Sequence, residues 1–270
     1  AAPEWSQLVK TLLHSLWQGV LITAVLALVM RRVTNPHWRY RLALLALVTI
    51  PVSGILTWAA LNSPNRPLPV PVVQPAPVET APTAAPGEKP QTKLVLLANR
   101  SPAPPPSSWT AWLALLWIVG ASATLGRASV KLAGAERLRR SCQPLDNPQV
   151  TQLLAEARRA VGLARKVRVA VTDRLTSPAV VGVLVPTLVL PLSLVTTLTP
   201  EQIRFILLHE LAHIRRGDYL ANLFQFFIEA VLFFNPAVWW ISHQVRRERE
   251  ACCDALAIEL SGAPADYART

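Results

Sequence analysis

The stretch TLLHSLWQGVLITAVLALVM, Thr11 to Met30, decides how the rest of the chain is read. It lies between Lys10 and Arg31 and holds no charged residue. Only His14, Ser15, Gln18 and Thr23 interrupt its apolar character. A helix needs about 20 such residues to cross a bilayer. A second uncharged stretch runs from Leu42 to Leu61, with Pro51 as a tolerated kink. A third runs from about Trp109 to Gly126, with Trp109, Trp112 and Trp117 in its first half, partly as an interfacial belt. The competing reading is three buried core helices. It is weakest for the first two stretches and stronger for the third, which is shorter and richer in Ser and Thr.

Composition points the same way. The chain has 270 residues, 51% hydrophobic and 16% charged, with a mean hydropathy of +0.32. A soluble domain usually carries about 25% charged residues. The net charge of +11 raises nucleic acid as a partner. Its placement argues instead for topology. Arg31, Arg32, Arg39 and Arg41 follow the first span with no acid among them. Arg127, Lys131, Arg137, Arg139 and Arg140 follow the third against Glu136 alone. Both groups read as cytoplasmic under the positive-inside rule, so the N-terminus and residues 62–108 fall outside. No direct nucleic-acid contact is expected. Residues 62–108 hold 13 of the 24 prolines and few large apolar residues, and are expected to form an extended outer linker. Cys142, Cys252 and Cys253 do not make a disulfide framework. The sequence does not begin with Met and is expected to be a piece of a longer protein. Residues 1–10 lack the basic start of a signal peptide.

The expected organisation is therefore a two-helix hairpin over 1–61, the linker 62–108, a third span 109–126, and a cytoplasmic domain from 127 to 270. In that domain residues 127–141 extend the third span as a basic helix. Asp146-Asn147-Pro148 starts a helix, and Val167–Val171 is a short strand. Val180–Leu190 reads as two short strands or an edge hairpin. Thr199-Pro200-Glu201-Gln202 carries a cap, a first-turn proline and a capping box. The helix it starts ends near Gly217. A further apolar helix spans Tyr219–Phe234, and Asn235-Pro236 breaks it and starts a last helix to about Leu260.

The first of these three helices carries His209-Glu210-Leu211-Ala212-His213. Two histidines at i and i+4 share one face and can bind one zinc ion, with Glu210 placed to act as general base on water at the metal. A solvated surface helix is a poor alternative, because Phe205–Leu208 and Leu211-Ala212 would bury it. A catalytic zinc needs a third protein ligand. Asp218, Glu229, His243, Glu248, Glu250, Asp254 and Glu259 are the candidates. An out-and-back pair of helices returns the last helix to the zinc helix, and the i, i+4 pair Glu250 and Asp254 favours Glu250 over Glu248.

His209-Glu210-x-x-His213-x-x-x-x-Asp218, then Asn235-Pro236-x-x-Trp239, then Arg246-Arg247-Glu248-Arg249-Glu250-Ala251-Cys252-Cys253-Asp254, resembles the BlaR/MecR-type membrane metallopeptidases. The order of two spans, an outer loop, a third span and a cytoplasmic domain matches as well. The resemblance implies a mainly α integral membrane protein with three transmembrane helices and a cytoplasmic α+β zincin-like domain of gluzincin type. It implies Zn2+ bound by His209, His213 and Glu250, with Glu210 as base and later proton donor. It implies that Asp254 orients a zinc histidine. Val180–Leu190 occupies the place of the strand that receives an extended substrate. Neither His243 nor Arg246 is identified by the motif as the oxyanion partner, though each is a candidate.

The activity implied is a zinc-dependent endopeptidase in a bacterial inner membrane that cleaves a cytoplasmic protein in signal transduction. In the best-known members that protein is a transcriptional repressor, hence an antirepressor role. A quality-control protease of HtpX type is one alternative. Another is an inactive zinc-binding scaffold, which ligation by Cys252 or Cys253 would favour. The family usually continues through a fourth membrane helix. The 219–240 hairpin reads as packed or membrane-dipping, not as that crossing. Oligomeric state, substrate identity and activating signal are not legible.

Overall fold

A computed structural model describes residues 2–62, 108–182 and 185–262. Nearly all of the Pro-rich linker, and the end of the chain after Gly262, lie outside these residues. The protein is mostly helical. α1 (Ala2–Met30) and α2 (Pro36–Asn62) form an antiparallel pair, and α3 (Ser108–Ser141) follows. All three contain segments long and apolar enough to cross a membrane: Glu4–Met30, Pro36–Asn62 and Trp109–Ser141. The helices outrun the uncharged stretches except at Met30, where α1 and its stretch end together. Lys10 and the basic run after Gly126 are helical, because charged ends in water cost the backbone nothing. α2 continues through Pro51. Near the end of α3, Glu136 accepts from Arg139 and Arg140 at 2.7 and 2.9 Å.

After α3 come β1 (Gln143–Pro144), α4 (Pro148–Val161), β2 (Arg168–Thr172), β3 (Ala179–Val181), β4 (Thr187–Pro191) and α5 (Leu192–Thr197). Asn147 caps α4 by accepting from the Gln149 and Val150 amides, and Gly162 closes it in the left-handed region at φ 72°. The sheet order is β1-β2-β4-β3. β2 and β4 are parallel, and β3 lies antiparallel to β4 at the edge, pairing Val180 with Leu188. β4 is buried along its whole length, as a continuous apolar strand between two neighbours should be. β1 and α5 were not legible in the sequence. β1 has two residues, and α5 a single turn and a half with no apolar period.

α6 (Pro200–Arg216), α7 (Asp218–Val231) and α8 (Pro236–Ser261) complete the fold. Two hydrophobic cores result. One gathers Val150, Leu154, Leu188, Leu190, Leu207, Leu208 and Leu211 from α4, the sheet and α6. The other joins Leu26, Met30, Ala43, Leu47 and Ile50 of the first hairpin to Ile228, Leu232, Val238, Ile241 and Val245 of α7 and α8. α8 belongs to both, since Ala257 near its end packs in the first core.

The α7–α8 turn is lodged among the apolar helices. Asn235 is fully buried; its Oδ1 accepts from the Ala237 amide at 3.0 Å, and its Nδ2 donates to the Ser15 carbonyl at 2.9 Å. Trp117 Nε1 donates to the Val231 carbonyl at 2.8 Å. These contacts give partners to backbone groups at the facing ends of α7 and α8, beside the middle of the first and third apolar stretches. Glycines allow the approach. A Cβ on Gly19 would stand 2.9 Å from the Ala237 Cβ, and one on Gly120 would stand 2.3 Å from the Phe233 ring tip. Ala237 has no rotamer by which to yield, whereas the Phe233 ring can swing away. Gly19→Val is therefore expected to destabilise the protein by about 1–3 kcal/mol, as overpacking does. Gly120→Ala should cost less. Thermal melts of the two variants in one detergent would test this order.

Candidate metal centre

α6 is specified locally. The Thr199 hydroxyl accepts from the Gln202 amide at 3.3 Å, and the Gln202 side chain accepts from the Thr199 amide at 2.9 Å, completing the capping box. Gly217 ends the helix at φ 69°. Leu207, Leu208, Leu211 and Ala212 turn inward and are fully buried. That leaves His209, Glu210 and His213 half-buried on the opposite face, where α8 crosses.

Three ligand atoms converge there. His209 Nε2 and His213 Nε2 are 3.2 Å apart. Glu250 Oε2 of α8 lies 3.6 Å from the first and 3.4 Å from the second. The other nitrogen of each ring faces a carboxylate: His209 Nδ1 to Asp254 Oδ1 at 2.9 Å, and His213 Nδ1 to Asp218 Oδ2 at 2.8 Å. A carboxylate at Nδ1 fixes both the ring angle and the tautomer, and leaves Nε2 free to bind. Two imidazole nitrogens and one carboxylate oxygen within 4.8 Å of one another fit a divalent cation.

Charge balance supports that fit. Interaction with His209 and His213 holds the Glu250 carboxyl well below the usual carboxylate range. Glu250 in turn raises the His209 pKa. Burial opposes charge on His213, but hydrogen bonds to Asp218, Cys253 and Glu250 outweigh it and raise the pKa. The surrounding carboxylates thus favour positive charge at the rings, whether a proton or a cation carries it. Glu210 is different. Burial pushes its pKa up, although both histidines pull it down. A carboxylate made more basic by burial suits proton transfer.

The remaining third-ligand candidates are occupied elsewhere or turned away. Glu229 pairs with Arg246 at 2.6 Å, and Glu248 pairs with Arg39 at 2.7 Å. His243 and Glu259 are exposed. Asp218, a candidate ligand by sequence, stands behind His213. Sequence spacing could not reveal this, because the Gly217 turn sets its direction. The nearest sign was its place in the first turn of α7. Cys253 Sγ lies 3.4 Å from His213 Nδ1 and 3.6 Å from Asp218 Oδ2, so it too sits behind the ring. His213, Asp218 and Cys253 form a second potential ligand group that shares His213 with the first. Cys252 is buried. Glu250 is 48% exposed, so the centre is open on that side. The edge strand β3 packs beside α6.

Fold and site together define a membrane-helix protein with a candidate metal centre at the crossing of two helices. Residues 7–270 match the family model described as BlaR1 peptidase M56, and the chain belongs to that peptidase family. It is 27% identical over 139 residues to the regulatory protein BlaR1 of Bacillus licheniformis, covering 52% of this chain and 23% of that protein. It is 25% identical over 96 residues to the methicillin resistance mecR1 protein of Staphylococcus aureus, covering 36% of this chain and 16% of the relative. The matched part is thus under a quarter of the length of either relative.

Metal uptake should release protons. Both rings have raised pKa values, so at neutral pH a cation must displace protons that raising the pH removes. Affinity for a divalent cation is therefore expected to rise with pH and to fall as the rings protonate. Chelator-competition titrations across pH 6 to 8 would read the slope, and a flat profile would contradict protonated rings.

Proposed function

We propose that the protein is a zinc-dependent endopeptidase held in a bacterial inner membrane with its catalytic domain in the cytoplasm. The observation that carries this reading is the convergence of His209 Nε2, His213 Nε2 and Glu250 Oε2 next to a half-buried Glu210. Two histidines and a glutamate are a known catalytic zinc set that leaves an open position. When bound, zinc acts as a Lewis acid that polarises the scissile carbonyl. The chain's own residues do the rest. His209, His213 and Glu250 hold the ion, while Asp254 and Asp218 keep the two rings turned toward it. Glu210 takes a proton from the attacking water and returns it to the leaving amine. Placement of Cys253 at Nδ1 of His213, away from Nε2, favours an open site over a closed structural one.

Substrate backbone adds to the edge strand β3, which lies beside α6. The substrate is a cytoplasmic protein, and the role is regulatory. The Bacillus relative is a regulatory protein, which supports that reading, as does the resemblance to antirepressor peptidases. The first loop and the end of α3 face the cytoplasm because they hold the basic clusters. Apolar side chains exposed on α7, including Leu220, Leu223 and Phe227, face lipid.

Glu210→Gln is expected to lower peptide cleavage by at least about 10²-fold while leaving bound zinc near one per chain. Glu250→Ala should lose the metal as well. The reading fails if Glu210→Gln cleaves like wild type. It also fails if Glu250→Ala retains stoichiometric zinc by elemental analysis.

A further inference from the structure

Two consecutive residues at the start of α2 reach both ligand-bearing helices. Arg39 Nη2 lies 2.7 Å from Glu248 Oε1, and the Glu248 side chain is 5% exposed. Glu248 stands two residues before Glu250 on α8. The same guanidinium donates through Nη1 to the carbonyls of Met30 and Val33 at 3.5 Å, at the end of α1. Its neighbour Tyr40 carries the Arg216 guanidinium over its ring, 4.7 Å from the centroid. Arg216 Nε donates to Asp218 Oδ1 at 3.3 Å, and the other oxygen of Asp218 faces His213 Nδ1 at 2.8 Å. One arm thus runs from Arg39 to the segment holding Glu250. The other runs from Tyr40 through Arg216 and Asp218 to His213.

We propose that Arg39 and Tyr40, at the start of the second apolar helix, are positioning residues for the metal centre, setting Glu250 through Glu248 and His213 through Arg216 and Asp218. This rests on the reading of His209, His213 and Glu250 as a metal site. The physical reason is that buried ionic groups tolerate few arrangements. A carboxylate as enclosed as Glu248 must keep its cation, so α8 is held in rotation and height wherever Arg39 sits. Asp218, equally enclosed, is fixed between Arg216 and His213 in the same way. Partners behind a metal ligand commonly change metal affinity by about 10–100-fold. A shift of the first membrane hairpin against α8 therefore reaches two of the three ligands at once.

The experiment uses the full chain in detergent micelles. It measures Zn2+ and Co2+ affinity by chelator competition, the visible absorption of the Co2+ form, and the melting temperature without metal. Arg39→Met should weaken metal binding by about 10-fold or more and alter the Co2+ spectrum. The swap Arg39→Glu with Glu248→Arg should recover much of the loss. Tyr40→Leu strands no buried charge, so it reads the second arm even if Arg39→Met fails to fold. It should weaken binding, and Tyr40→Phe, which keeps the ring under Arg216 and loses only the hydroxyl contact, should weaken it less. Trp117→Phe, which removes the hydrogen bond from α3 to the Val231 carbonyl of α7 away from the site, should lower the melting temperature but not the metal affinity. A purely structural role for the turn predicts that Tyr40→Leu and Arg39→Met melt early yet bind metal with wild-type affinity and spectrum, and that result overturns the proposal. Wild-type protein that takes up neither ion overturns the metal-site reading itself, and this inference with it.

Discussion

The structure depends on α8 being one unbroken helix through two cores. Its first half, Ala237 to Val245, packs against the first apolar hairpin, and Ala257 packs against α4, α6 and the sheet. Glu248, Glu250, Cys253 and Asp254 occupy the stretch between. A rigid helix transmits rotation and height along its length, so the position of Glu250 is set from both ends. Neither core alone could place it. The Asn235 cap at one end and the Arg39–Glu248 pair in the middle fix the helix against the apolar bundle.

The centre is held by opposition of like structures. Each histidine has a carboxylate at Nδ1 and shares Glu250 at Nε2. The arrangement is electrically demanding, with Glu250, Asp254 and Asp218 around two rings. Protons or a cation must meet that demand, and the raised pKa values of His209 and His213 are its signature. Glu210 differs in sign: burial raises its carboxyl although both histidines pull it down, which sets it apart from them within one helical turn.

The apolar stretches and the helix-start chemistry were legible in the sequence because their causes are local. Thr199, Pro200 and Gln202 act within four residues of one another, as do Asn147 and Pro148. The two histidines were legible because a helix puts i and i+4 on one face. Glu250 was favoured by the i, i+4 relation to Asp254, and the resemblance then singled it out. The function of Asp218 was not legible, since the left-handed Gly217 reverses the chain just before it. Nor were the partners of Glu248 and Arg216. Arg39 and Tyr40 lie about two hundred residues from the helices they hold, and no periodicity links them. Arg39 reads as part of the topology signal, and Tyr40 carries no sequence signal. One arginine can serve both purposes, which is why composition alone undercounts its role.

The same geometry sets the height of the centre. Ala237, in the first turn of α8, packs beside Gly19, near the middle of the first uncharged stretch. Thirteen residues of helix from Ala237 to Glu250 rise about 20 Å. Half the hydrocarbon thickness of a bilayer is about 15 Å. In the topology we propose, with Gly19 at mid-bilayer, Glu250 would stand a few ångströms beyond the hydrocarbon, near the level of Arg31 and Arg32. That is the depth at which Arg39 and Tyr40 leave the first turn, and so the depth at which they can reach α8 and α6. The contact between the turn and the centre is therefore a consequence of helix lengths: α1 climbs about 17 Å from Gly19 to Met30 and α8 about 20 Å from Ala237 to Glu250, which brings the basic loop and Glu250 close to one level.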